Sequence, residues 1–247
     1  MQYKYESADR DYSDYSSGRV LYSLPGHPAF PVRLASEIFQ RCLAQREKNY
    51  SISTPCHLYD PCCGAAYHLS VLGFLHGHQI KKISASDVDE KAVALASRNL
   101  GLLSAAGMDE RIAEIDRLLA LYQKDSHRQA LASAYRLQSK PLADLKVQAF
   151  QANALDRDAL TRQIPPGTVD IVFSDVPYGQ HSHWQEAGRG QTQSPLWLLL
   201  DALRGTLSAA SIVALVSDKQ QKPVHAGFQR LEHFHLGKRN IVLLKPI

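Results

Sequence analysis

Cys56-His57-Leu58-Tyr59-Asp60-Pro61-Cys62-Cys63-Gly64-Ala65-Ala66-Tyr67 decides the fold. A short apolar run ends on an acid, a proline and a glycine, and residues 65–77 then have the make-up of a helix. This is the opening of a strand–turn–helix unit. Downstream the alternation repeats. Residues 81–87 read as a strand and 90–103 as a helix with an apolar stripe. Residues 147–152 and 169–175 are further strands with a short helix from about Asp156 between them; 197–207 is helical and 211–217 a strand. Residues 231–236, Gly237-Lys238 and 240–244 have the form of a hairpin. Alternating βα units predict an α/β fold: a seven-stranded, mostly parallel sheet with helices on both faces and an antiparallel C-terminal hairpin.

Upstream, residues 23–33 carry Pro25, Pro28 and Pro31, which suits an ordered loop, and Pro31 fits the first turn of a helix. Val32, Ala35, Ile38, Phe39 and Cys42 extend that helix to about residue 46. The chain therefore divides into an N-terminal segment and helix, 1–50, and a core, 51–247. One stretch breaks the alternation. Residues 107–140 are helix-forming, with Ile112, Ile115, Leu118, Leu119 and Tyr122 and then Leu131, Tyr135 and Leu137 at helical spacing. This predicts a helical hairpin inserted at about 105–145. Its second half carries Arg128, Arg136, Lys140 and Lys146 against Asp144 alone, so RNA contact and simple packing are both open readings.

Composition narrows the class. With 247 residues, 45% hydrophobic and 21% charged, the chain can bury one sizeable core and is neither disordered nor fibrous. Cys42, Cys56, Cys62 and Cys63 form no spaced framework, which fits a reducing cytosol. The apolar run at 196–203 is interrupted by Asp201, and the start lacks a signal-peptide pattern. A cytoplasmic protein, monomeric and without membrane or metal partners, is the expectation. The net charge of +4 is mild. The tail from Ser217 onward carries Lys219, Lys222, Arg230, Lys238, Arg239 and Lys245 against Asp218 and Glu232, as a phosphate-facing surface or an ordinary solvated face would.

In a doubly wound sheet, ligands bind at the carboxyl ends of the strands, where the strand order reverses. Four loops lie at such ends. The first contains Asp60 and Gly64; it is neither a dinucleotide fingerprint nor a P-loop, and a tight turn would use the same residues. Asp60 could accept from an ammonium group. The second is Ser86-Asp87-Val88-Asp89. Asp87 stands about 20 residues past Gly64, the separation expected of an acid that takes both hydroxyls of a ribose; Val88 would line an adenine pocket and Asp89 cap the next helix. The third is Asn153, an amide able to pair with an adenine edge or a turn residue. The fourth is Ser174-Asp175-Val176-Pro177-Tyr178-Gly179. An acid, a proline and an aromatic at a strand end make a rigid acceptor platform on which Tyr178 can stack a planar base. The adjacent Cys62-Cys63 lack any matching Cys/His spacing for a metal.

In this order the loops resemble those of class I S-adenosylmethionine methyltransferases, whose fold is Rossmann-like, and of the members that act on nitrogen. The resemblance sharpens at residues 25–34, at Asp60-Pro61-Cys62-Cys63-Gly64, at Ala85-Ser86-Asp87-Val88-Asp89 and at Asp175-Val176-Pro177-Tyr178-Gly179 with His183-Trp184. These are similar to the AviRa family of ribosomal RNA methyltransferases of orthosomycin (avilamycin) resistance, from about Gly18 to the end. The resemblance implies methylation of a guanine in large-subunit ribosomal RNA, at N1 by the family and at N2 by the motif alone. It implies cofactor contacts from Asp60, Cys62, Gly64, Asp87, Val88 and Asn153; catalysis by Asp175, Pro177 and Tyr178; and substrate contacts from Tyr178, His183, Trp184 and Arg33. Residues 22–33 would cover the cofactor or meet RNA. The chain departs from the family at Asn153, where an acid is usual, and at Ala65-Ala66, where Ser-Gly is usual. Competing readings are a methyltransferase for DNA or protein nitrogen and a non-catalytic RNA-binding module.

Overall fold

The computed structural model describes residues 3–23, 29–140, 144–177 and 193–247. Its strands are β1 (Cys56–Asp60), β2 (Ile80–Asp87), β3 (Lys146–Gln151), β4 (Val169–Asp175), β5 (Leu207–Ser217), β6 (Phe228–Leu236) and β7 (Arg239–Pro246). The helices are α1 (Val32–Tyr50), α2 (Tyr67–His76), α3 (Glu90–Gly101), α4 (Ala105–Tyr122), α5 (Asp125–Gln138), α6 (Arg157–Gln163) and α7 (Pro195–Leu203). The strands form one sheet in the order β3-β2-β1-β4-β5-β7-β6. β1 to β5 are parallel, and β7 runs antiparallel between β5 and β6.

The last strand lies inside the sheet and the one before it at the edge, and burial accounts for both. Ile241, Val242, Leu243 and Leu244 are all buried, as a strand covered on both sides requires. In β6 Phe234 is buried while His233 and His235 on either side of it are exposed, an alternation suited to an edge.

Successive strand residues face opposite layers. Leu58, Ile171, Phe173, Ala214 and Val216 pack with α1, α2 and the insertion. Tyr59, Val172, Val213 and Leu215 pack with α6 and α7 on the other face. Tyr15, Val20, Leu21 and Phe30 of the N-terminal segment enter the first of these cores, so the packing is continuous across residue 50. The segment is tied down by Glu37 of α1, which accepts the backbone N–H groups of Lys4, Tyr5 and Glu6 at 2.8–2.9 Å and pairs with Arg41 at 2.7 Å. Burial alone would raise the Glu37 carboxyl, but these donors hold it below its ordinary range.

Element boundaries moved for local reasons. Pro31 is the extended residue that caps α1 and not part of its first turn, and α1 runs on to Tyr50. α7 stops at Leu203, and the apolar residues beyond Gly205 open β5 at Leu207. The insertion is a hairpin of α4 and α5, but Tyr122 and Tyr135 are exposed, and the buried face is Met108, Arg111, Ile115, Ala134 and Leu137. Arg111 is buried because its Nε donates to the Val20 carbonyl at 2.9 Å, clamping the N-terminal segment. No helix among the described residues is long and apolar enough to cross a membrane.

Candidate active site

The strand order reverses between β1 and β4, whose facing pairs are Leu58–Ile171 and Tyr59–Val172. Asp60 and Asp175 therefore end neighbouring strands at the switch point. A cavity of about 130 Å³ opens there, lined among others by Phe30, Cys63, Gly64, His68 and Asp175.

Gly64 sits at φ +51°, and a Cβ built on it would have no described atom within 4 Å. A side chain would therefore project into the space beside the loop, the cradle a ligand needs. Its N–H donates to Asp87 Oδ2 at 2.8 Å, while Asp87 Oδ1 accepts from the Asp89 N–H at 3.0 Å. Each carboxylate oxygen thus keeps lone-pair capacity, enough for two hydroxyl donors, in a fixed orientation. Val88 is half-buried, and its carbonyl accepts from Gln151 at 2.9 Å.

Asp60 is wholly buried. Its Oδ1 accepts from the Cys62 N–H at 2.9 Å and from the Ser174 hydroxyl at 2.6 Å. Its Oδ2 has no hydrogen bond among the described residues. His68 Nε2 stands 3.2 Å from it, and the same nitrogen lies 3.3 Å from the Phe173 carbonyl. Burial pushes the Asp60 carboxyl up to about 7, against the pull of Ser174 and the Cys62 N–H. Burial likewise pulls the His68 imidazole below its ordinary value and pushes the Cys62 and Cys63 thiols up, which leaves neither cysteine a ready nucleophile.

At β4, Asp175 is half-buried. The next residue explains its own identity. The Val176 N–H donates to the Val216 carbonyl at 3.0 Å, and its side chain is 1% exposed in the second core. A proline here would lack that donor and break the link to β5. The Pro177 carbonyl accepts from Gln221 Nε2 at 3.1 Å.

Of the residues expected at the site, Asp60, Gly64, Asp87, Val88 and Asp175 gather at the ends of β1, β2 and β4, with Cys62 and Pro177 in the adjoining loops. Asn153 follows β3 and is exposed; its Oδ1 accepts from the Leu155 N–H at 3.0 Å, so the amide shapes a turn and leaves Nδ2 free to donate. Arg33 is not brought to the cavity: it lies 4.3 Å over the Tyr3 ring and donates to the carbonyls of Glu6 and Ser7. Tyr178, His183 and Trp184 lie outside the described residues.

Two contributors were missed. His68 walls the cavity beside Phe30, which belongs to the segment 22–33 expected to cover the cofactor, and both rings pack on Phe173. Asn99, fully buried, donates to the carbonyls of Tyr22 at 3.0 Å and Ala65 at 2.8 Å and accepts the Tyr22 N–H at 2.8 Å. It therefore fastens the N-terminal segment to the Gly64 loop. The signal was an amide on the apolar stripe of α3, beside Ala96 and Leu100. No group of three or more His, Cys, Asp or Glu among the described residues could hold a metal.

Comparison with known proteins agrees with this geometry. The family described as rRNA methyltransferase AviRa matches residues 1–239. A Streptomyces viridochromogenes protein, the 23S rRNA (guanine(2535)-N(1))-methyltransferase, is 39% identical over 239 residues, 95% of this chain and 92% of the relative. Two solved structures of the AviRa rRNA methyltransferase of that organism superimpose with TM-scores of 0.84 and 0.85 at 37% and 36% identity. They cover 98% and 99% of this chain and 96% of each of theirs. A putative methyltransferase of Escherichia coli, 14% identical with a TM-score of 0.51 over 91% of this chain and 90% of its own, shares the fold alone.

Proposed function

The chain belongs to the AviRa family of rRNA methyltransferases, and from that premise we propose that it methylates a guanine nitrogen of large-subunit ribosomal RNA with S-adenosylmethionine. The atom is N1, as in the name of the Streptomyces relative. Protection of the ribosome against orthosomycin antibiotics follows as its biological role. One observation carries the reading: Asp175, the acid of the acceptor motif, lines the same cavity as Gly64 and Cys63 of the cofactor loop.

The residues present fit the cofactor. The space beside Gly64 is open, Asp87 has two oriented oxygens for ribose hydroxyls, and Asp60 Oδ2 is a buried acceptor without a hydrogen bond among the described residues. When bound, S-adenosylmethionine supplies a methyl group on a positive sulfur. The protein's work is then largely placement. Guanine N1 carries a proton and becomes a nucleophile only as that proton leaves. Asp175 accepts it, with Tyr178 stacking on the base after it has been turned out of its helix. Trp184 would add to that stacking, and His183 would contact the substrate. Phe30, Tyr22 and Ser23 wall the cavity from the N-terminal segment.

The test is nucleoside analysis. Large-subunit rRNA incubated with protein and cofactor, digested and resolved by mass spectrometry, yields 1-methylguanosine, absent with Asp175→Ala. Bound cofactor with no methylated nucleoside in any RNA would overturn the proposal.

A further inference from the structure

We propose that Gln221 is a positioning residue for the methyl-acceptor loop, holding it through the Pro177 carbonyl and offering its own amide oxygen to the incoming base. This rests on the reading of Asp175–Tyr178 as that loop. Gln221 follows β5, and its Nε2 donates to Pro177 O at 3.1 Å. The residue is itself pinned: its N–H donates to Asp218 Oδ1 at 3.0 Å, and its carbonyl accepts from the Ser217 hydroxyl at 3.5 Å and Asn240 Nδ2 at 3.4 Å.

Behind it a chain of polar groups runs from buried Ser217 and Asn240 out to exposed His233. Asn240, 5% exposed, also donates to Ser217 Oγ at 3.2 Å, so its Oδ1 is left to accept from His233 Nε2 at 2.6 Å. Through this relay the edge hairpin of β6 and β7 fixes a side chain that fixes the loop, and the peptide it holds leads directly into Tyr178.

A second observation points to a ligand. Gln221 Oε1 is buried, with no hydrogen-bond partner among the described residues, although its Nε2 is satisfied. A buried acceptor left open costs free energy and calls for an explanation. A guanine presents N–H groups on the edge that is methylated, and one of them is the missing donor.

The experiment compares Gln221→Met, which keeps length and loses both polar atoms, with Gln221→Glu, which keeps an acceptor and loses the donor to Pro177. For each, kcat and KM for rRNA are measured beside cofactor affinity, melting midpoint and hydrogen exchange of the peptide spanning 174–180. The expected result is kcat lower by about tenfold or more in both, since small misplacements cost heavily. Cofactor Kd stays within about twofold, the midpoint is retained and exchange is faster in 174–180. Unchanged kcat and exchange, wild-type activity in Gln221→Glu, or loss of cofactor affinity in parallel with kcat would overturn it. Should the wild-type protein methylate no rRNA, the functional reading fails while the exchange data still decide whether Gln221 holds the loop.

Discussion

On the β1–β2 side of the crevice the acid at the end of β2 is already oriented: Asp87 takes N–H groups from Gly64 and Asp89, and the Gly64 loop is tied through Ala65 to Asn99. On the β4–β5 side the loop is held from behind by Gln221, whose Oε1 is buried without a hydrogen bond among the described residues. The first half presents one oriented acid, Asp87, and one buried acceptor open among the described residues, Asp60 Oδ2, to a ligand that is the same in every turnover. The second is finished only by the base it receives. Binding and transfer are therefore separable, and substitutions should divide by the half they touch.

Asp175→Ala strikes the acceptor half alone. It lowers kcat by about 10²–10⁴, the usual worth of a positioned proton acceptor, with cofactor affinity unchanged by calorimetry. Parallel loss of both would erase the division. Next comes the anchor of the N-terminal segment. Glu37→Ala releases Lys4, Tyr5 and Glu6 and removes one of the two carboxylates that pair with buried Arg41, at a cost of about 3 kcal/mol in denaturant unfolding. Activity falls only as the fold does. Asp87→Ala strikes the cofactor half, weakening cofactor binding about 10–100-fold through lost charge-assisted hydrogen bonds. Its kcat at saturating cofactor stays near that of wild type.

The smallest effect sharpens the boundary between halves. Folded Asp60 keeps its proton up to about 7, whereas the unfolded chain loses it at 3.8. Between those values the folded state binds more protons, so this contribution to stability is full below 3.8 and lost as pH rises towards 7. His57 works oppositely: burial lowers it from 6.5 to about 4, so its contribution grows as pH rises through that window. The melting midpoint of Asp60→Asn should thus gain on wild type as pH rises from about 4 to about 7. A constant difference would refute the assignment.

How much was legible follows the same divide. β1 and β4 begin and end where the runs ending in Asp60 and Asp175 said they would, because a buried parallel strand is written largely in apolar residues. Asp60, Gly64, Asp87 and Asp175 were legible because strand-end acids and a glycine are local signals. Gln221, Asn99 and His68 were not, since each acts on a partner distant in sequence: Gln221 on Pro177, Asn99 on Ala65 and His68 on Phe173. Arg33 misled for the same reason. Its position after the Pro-rich loop suggested a ligand contact, but the carbonyls of Glu6 and Ser7 claim it. Val176, in sequence a departure from the proline of related motifs, became intelligible only once its N–H was seen on β5.

The most direct test is transfer of a labelled methyl group from S-adenosylmethionine to large-subunit rRNA by wild-type protein and Asp175→Ala, with cofactor binding measured on both. The account predicts equal binding and label in RNA from wild type alone. Label entering RNA equally from both proteins, or from neither while the cofactor binds, would contradict it.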